Sequence, residues 1–175
     1  MADGGHDHDH EAECALAHGH GSVERDWRLV AISASPVAAY LLHWGRELGF
    51  TTTLVESDPS RVTDDHRRDA DRVVSSIAEA DVDDTCDVVA TDHDIGDLVD
   101  HLAAALDTPA RWIGLMGSRR HEPPHVTPLT ERGYDEAAIA RIHRPIGLDI
   151  GSKTPPEIAL STLAGLIADR NGRTP

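Results

Sequence analysis

The chain has 175 residues, enough for one domain with a buried core, and a formal charge of −15. Acids outnumber bases 31 to 16, and Lys153 is the sole lysine; such a surface repels DNA and anionic lipid and excludes general nucleic-acid or membrane binding. An acidic, lysine-poor shell also suits concentrated salt, where its self-repulsion is screened, so halophilic adaptation is expected. With no long apolar run and no visible signal peptide, the protein is expected in the cytoplasm.

Residues 1–25 are rich in His, Asp and Gly without apolar periodicity and are predicted to be a disordered tail; 26–172 are predicted to form the domain. The tail histidines with Cys14 could bind a borderline divalent metal, but they lack a fixed ligand spacing, and Cys14 and Cys86 do not make a disulfide framework. A strand is predicted over 27–33. A helix follows from Pro36, with Val37, Leu41, Trp44 and Leu48 on one face, and ends at Gly49. The second strand spans 50–56, and an acidic irregular stretch covers 57–70. A short strand over "DRVVSS", a weak helix at 76–82, a strand at 86–92, an amphipathic helix at 97–106 and a strand at 111–117 come next. Helices are then expected near 126–132 and from Asp135 to about 142, with a loop or short strand at 144–154. A last helix, about 155–169, opens on the capping box Thr154-Pro155-Pro156-Glu157. Strands alternating with helices predict an α/β, Rossmann-like parallel sheet of about five to six strands with helices on both faces.

Four segments carry candidate chemistry. The first turn, Ser33-Ala34-Ser35-Pro36, stands where a dinucleotide site has glycines. Ala38 meets the packing requirement of the third position, and Glu56 lies where an acid would hold a ribose. Ser33 and Ser35 add side chains where the turn is tightest, and Pro36 removes a donor from the helix start. The second segment, "WIGLMGSRRH", ends a strand in Gly117, Ser118, Arg119 and Arg120. Gly117 permits close approach, Ser118 can donate to an oxyanion, and paired guanidinium groups can grip phosphate. Residues 111–153 hold seven bases and five acids, whereas 56–97 hold four bases and fourteen acids. The third, 144–161, has Gly147 and Gly151 flanking Asp149 before a capped helix. The fourth, "ATDHD", follows a strand; His93 could titrate or bind a ligand, and Asp94 is placed to cap the next helix.

"IGLMGSRR" and "ERGYDEAAIARIHRPIGLDIGSKTPPEIALS", with Thr91 and the Asp/His pair after its strand, resemble the carboxy-terminal Rossmann-like domain of the XdhC/CoxI family. That resemblance spans roughly 27–168. It implies a dimeric accessory protein for xanthine dehydrogenase and other molybdenum hydroxylases. Such proteins bind molybdenum cofactor (molybdopterin), protect it during sulfuration and pass it to the apo-enzyme, as chaperones rather than turnover enzymes. Gly117, Ser118, Arg119 and Arg120 match one family motif; Pro145, Gly147, Asp149, Gly151, Thr154, Pro155 and Glu157 match the other. A terminal phosphate on a pterin cofactor is compatible with arginines and backbone amides. The family's amino-terminal domain has no counterpart here, and a separate protein is expected to supply it. The first turn and the Thr91-Asp92-His93-Asp94 stretch depart from the family's usual G-A-G-H and T-H-D. Two other readings stay open: an NAD(P)- or FAD-binding oxidoreductase, and a ligand-free interaction module. No catalytic residue is assigned.

Overall fold

The structure is a computed structural model that describes residues 26–92, 96–118 and 122–173. The expected tail at 1–25 and the candidates His93, Arg119 and Arg120, with Asp94, lie outside the described residues.

Six parallel strands run in the order β3-β2-β1-β4-β5-β6. They are β1 Arg28–Ile32, β2 Thr51–Val55, β3 Arg72–Val74, β4 Cys86–Ala90, β5 Trp112–Leu115 and β6 Ile142–His143. β1 pairs in register with Thr51–Val55 on one side and Cys86–Ala90 on the other. The helices among the described residues are α1 Pro36–Glu47, α2 Asp64–Asp69, α3 Leu98–Leu106, α4 Val126–Glu131, α5 Glu136–Ile139 and α6 Pro155–Arg170.

Strand residues alternate between the two faces. Val30, Ile32, Val88, Ala90, Ile113 and Leu115 meet α3, α4 and α5 in one core. Leu29, Val89 and Trp112 meet α1 and α6 in the other, with Val37, Leu41, Leu163 and Leu166. Each fully buried leucine contributes about 1.5–3 kcal/mol of transfer free energy. β1 and β4 are buried along nearly their whole length, which is why their sequences read as continuous apolar runs. No helix among the described residues is long and apolar enough to cross a membrane.

Four local expectations need correction. The stretch at 57–70 is not wholly irregular, since α2 forms there. It lacks an apolar stripe, and its signal is the cap: the Thr63 amide donates to His66 Nδ1 at 3.2 Å and the His66 amide to Thr63 Oγ1 at 3.4 Å. The weak helix at 76–82 is a 3₁₀ turn, Ile77–Ala80. The helix begun by Asp135 stops at Ile139, because Ile142 and His143 pair with β5 as an edge strand. Leu48 does not join the buried stripe of α1; it caps the helix and is 48% exposed.

Candidate functional site

In an open parallel sheet the ligand edge is the C-terminal one, at the point where strand order reverses. Here that point lies between β1 and β4. Ser33 follows β1 with φ 77°, the left-handed conformation usually given to glycine. A non-glycine residue there stores about 1–3 kcal/mol of strain. Its amide donates to the Val55 carbonyl at 2.8 Å. Its hydroxyl is buried without a hydrogen-bond partner. The turn therefore keeps the shape of a nucleotide-binding turn without its glycine.

Two amides of this turn are already engaged. The Ala34 amide donates to Glu56 Oε2 at 2.7 Å, and the Ala38 amide to Ser35 Oγ at 3.1 Å. Pro36 has no amide to offer. Ser35 Oγ donates to Thr91 Oγ1 at 2.8 Å, and Thr91 Oγ1 lies 2.9 Å from the Ile32 carbonyl and 3.0 Å from that of Ser33. Glu56 also accepts from the Asp58 amide at 2.9 Å, and Arg61 bridges it to Asp92. Ser33, Ser35, Glu56 and Thr91, all expected at a site, are thus brought together. Each is buried, and each but the Ser33 hydroxyl is tied to the protein itself.

The last helix closes its own start in the same way. Glu157 Oε2 accepts from the amides of Lys153 at 2.8 Å and Thr154 at 3.0 Å, and Pro155 and Pro156 supply no donors. Those bonds, the Thr154 amide first, hold the Glu157 carboxyl below its ordinary range. Asp149 and Gly151 are exposed on the loop before this helix. Gly147 is turned instead against α6: a β-carbon there would lie 2.7 Å from Ser161 Oγ and 2.8 Å from the Thr162 amide nitrogen. Its glycine serves packing.

The rim of β5 and β6 differs. Gly117 follows β5, and Ser118 beside it is exposed. A β-carbon on Gly117 would stand 2.4 Å from Arg144 Nε and 2.8 Å from its Cζ. The Arg144 side chain, arriving from the end of β6, therefore lies on the Gly117 α-carbon. His125 is 3% exposed, and its Nδ1 has no hydrogen-bond partner. Burial, and next the nearby Arg144 charge, push its pKa below the ordinary 6.5. Sequence reasoning singled out neither Arg144 nor His125. The arginine was only one of seven bases, and the contact with Gly117 links residues 27 positions apart in the chain.

The His125 shift has a measurable sign. Below pH 6.5 the unfolded imidazole takes up a proton that the folded one resists. The contribution is therefore fully present above pH 6.5 and drains away as pH falls toward the folded value. Urea unfolding of wild type and His125→Phe between pH 5 and 7.5 is expected to show a steeper acid-side loss in wild type. Groups titrating in both proteins cancel in the difference; equal slopes would contradict the assignment.

A cleft of 390 Å³ opens away from this rim, between α1 and α2, beside Tyr40, His43, Arg68 and Asp69. His43 Nδ1 and Arg68 Nη2 lie 3.3 and 2.8 Å from Asp69. Burial alone would raise the Asp69 pKa, and the bonds from Arg68 and His43 together outweigh it, leaving it lowered. With α2 unforeseen, this cleft was not legible beforehand.

A 3-2-1-4-5-6 parallel sheet covered on both faces, with its polar groups gathered at the strand C-termini, defines a Rossmann-type domain. The chain belongs to the XdhC family: the model of the XdhC Rossmann domain matches residues 29–166. It is similar to the Escherichia coli K12 protein YqeB, described as uncharacterized, with 38% identity over 84 residues. That stretch is 48% of this chain and 15% of YqeB. A Bacillus halodurans crystal structure described as a xanthine dehydrogenase shares the fold, with a TM-score of 0.70 at 22% identity. The match covers 98% of this chain and 53% of that one, so this chain spans about half the length of its structural relative.

Proposed function

We propose that this chain is an XdhC-type accessory factor that assists molybdenum cofactor binding, maturation and insertion into a molybdenum hydroxylase of the xanthine or CO dehydrogenase type. The observation that carries the reading is the family match over residues 29–166, within which both quoted motifs lie. The cofactor is cargo in this reading. Its terminal phosphate would meet Gly117, Ser118 and the arginines that follow, where the chain is locally basic. The protein would work in the cytoplasm as a homodimer. Its partners would be the apo-hydroxylase and a separate protein supplying the amino-terminal domain of the family.

The test is a titration with molybdenum cofactor at high salt, because the acidic surface is read as salt adaptation. Wild type is expected to bind, and Arg119→Ala/Arg120→Ala at least tenfold more weakly, about 1.4 kcal/mol or more. Equal affinity would remove the arginine pair from the site.

The alternative of an NAD(P)- or FAD-binding oxidoreductase has the strand order in its favour. Against it stand the Ala34 amide bonded to Glu56, the missing amide of Pro36, and Arg61 held between Glu56 and Asp92. Equilibrium dialysis is expected to give no binding tighter than about millimolar; micromolar NAD affinity would reverse the ranking.

A further inference from the structure

We propose that the cleft between α1 and α2 binds a small planar organic cation carrying N–H donors, an amidinium or a protonated aminoheterocycle, with His43 as its acceptor and Tyr40 as its aromatic wall. The inference goes beyond the cargo reading and does not depend on it.

The walls of the cleft are fixed by the fold. Pro36, Ala39, Tyr40 and His43 are spaced i, i+3, i+4 and i+7, so they share one face of α1 and line the cleft together. α2 supplies the other wall and is pinned in place by three bonds. His66 Nε2 lies 3.0 Å from the Ser35 carbonyl, and Arg46 and Thr52 donate to the carbonyls of Arg68 and Asp69, each at 2.9 Å. The volume, 390 Å³, falls within the roughly 300–1,000 Å³ of small-molecule sites. Tyr40 remains 40% exposed, yet its ring is held by a tilted contact with Trp44, 5.4 Å between centroids. Pro36 and Ala39 add short apolar groups against which a flat ring can lie.

Hydrogen bonding sets the polarity of the ligand. Asp69 is a carboxylate at neutral pH: burial opposes ionisation, and the bonds from Arg68 and His43 outweigh it. A carboxylate has no proton to give, so the hydrogen between the two, at 3.3 Å, sits on His43 Nδ1. The neutral ring then presents Nε2 as an acceptor, and no described residue bonds that nitrogen. An N–H donor matches it. Charge points the same way. The Arg68 Nη1 and Nη2 groups donate to Asp65 and Asp69, each at 2.8 Å, so one guanidinium faces two carboxylates and a negative charge is left over. The face of the Tyr40 ring also attracts a cation. An anion would meet the carboxylates and the His43 lone pair instead.

The experiment is calorimetric titration of the full chain at one fixed salt concentration and pH 7.5 with three probes of nearly one shape: benzamidine, a cation; benzamide, neutral; and benzoate, an anion. His43→Phe keeps a ring and loses the acceptor, Tyr40→Ala removes the aromatic wall, and Ala39→Leu fills the cleft; thermal unfolding checks the fold of each. Wild type is expected to bind benzamidine at least tenfold more tightly than benzoate, with benzamide between them. His43→Phe weakens benzamidine about tenfold, Tyr40→Ala about threefold, and Ala39→Leu removes measurable binding. Benzamidine affinity unchanged in folded His43→Phe or folded Ala39→Leu overturns the inference. So does equal affinity for the three probes, or no saturable binding of benzamidine by wild type up to about 10 mM. None of these results bears on the titration with molybdenum cofactor, so the two readings fail separately.

Discussion

Arg111→Met is expected to destabilise the protein by about 3–5 kcal/mol at neutral pH, the usual loss when one partner of a buried ion pair is removed. Asp87 is fully buried on β4, and Arg111 Nε donates to its Oδ1 at 2.6 Å. The same guanidinium reaches Asp169 on α6 and lies over the Trp27 ring at 5.6 Å. Arg170 covers the other side of that cluster, 4.7 Å from Trp27 and 4.4 Å from Phe50. Removing Arg111 strands a carboxylate between two sheet strands and loosens the end of α6 together.

The pH dependence identifies the cause. Burial pushes the Asp87 pKa up to about 6, with Arg111 opposing the rise. For a carboxyl raised in the folded state, the penalty is absent below the unfolded value of 3.8. It grows as pH rises, and is complete above about 6. Without Arg111 the rise is larger, so the deficit of Arg111→Met shrinks toward pH 4 and deepens toward pH 8. For a domain of this size the neutral-pH loss lowers the melting temperature by roughly 10 °C. Adding Asp87→Leu to Arg111→Met is expected to restore part of the stability, because the buried charge goes with its partner. A loss independent of pH between 4 and 8 would place the effect in packing.

Gly147→Ala is the second large effect, with an expected loss of about 2–5 kcal/mol. The residue has φ 82°, which costs an alanine about 1–2 kcal/mol. Its new β-carbon would also press on Ser161 and the Thr162 amide, an overpacking cost of about 1–3 kcal/mol. The neighbouring approach is already tight, since the Leu148 amide donates to the Ser161 carbonyl at 3.0 Å. Gly151→Ala separates the two causes. It shares the positive φ, at 72°, but a β-carbon there meets nothing within 4 Å. Urea unfolding should show the Gly151 variant losing only the conformational part. Equal losses would mean that contact with α6 contributes nothing.

The strands and the long helices were legible because their apolar residues follow the periods of 2 and 3.6 that the backbone imposes. The boundaries of α1 and α6 were marked chemically, by Ser35 with Pro36 and by Thr154 with Glu157. Short elements escaped. α2 has one turn and more of no apolar pattern, and β6 exists through its pairing with β5. Of the candidate site residues, the first-turn set and Gly117 were singled out from position alone. Their neighbours were not legible: Glu56 accepts from the Ala34 amide, and Gly117 accommodates Arg144.

The sequence by itself determined the alternation of elements, the parallel sheet, the absence of fingerprint glycines and the family motifs, since each is a pattern along the chain. The tertiary structure decided which groups at the strand ends meet. Hydrogen bonds from Ala34 to Glu56 and contact between Gly117 and Arg144 join residues 22 and 27 positions apart. A pairing of that kind depends on which strands become neighbours, and no local period or propensity encodes it.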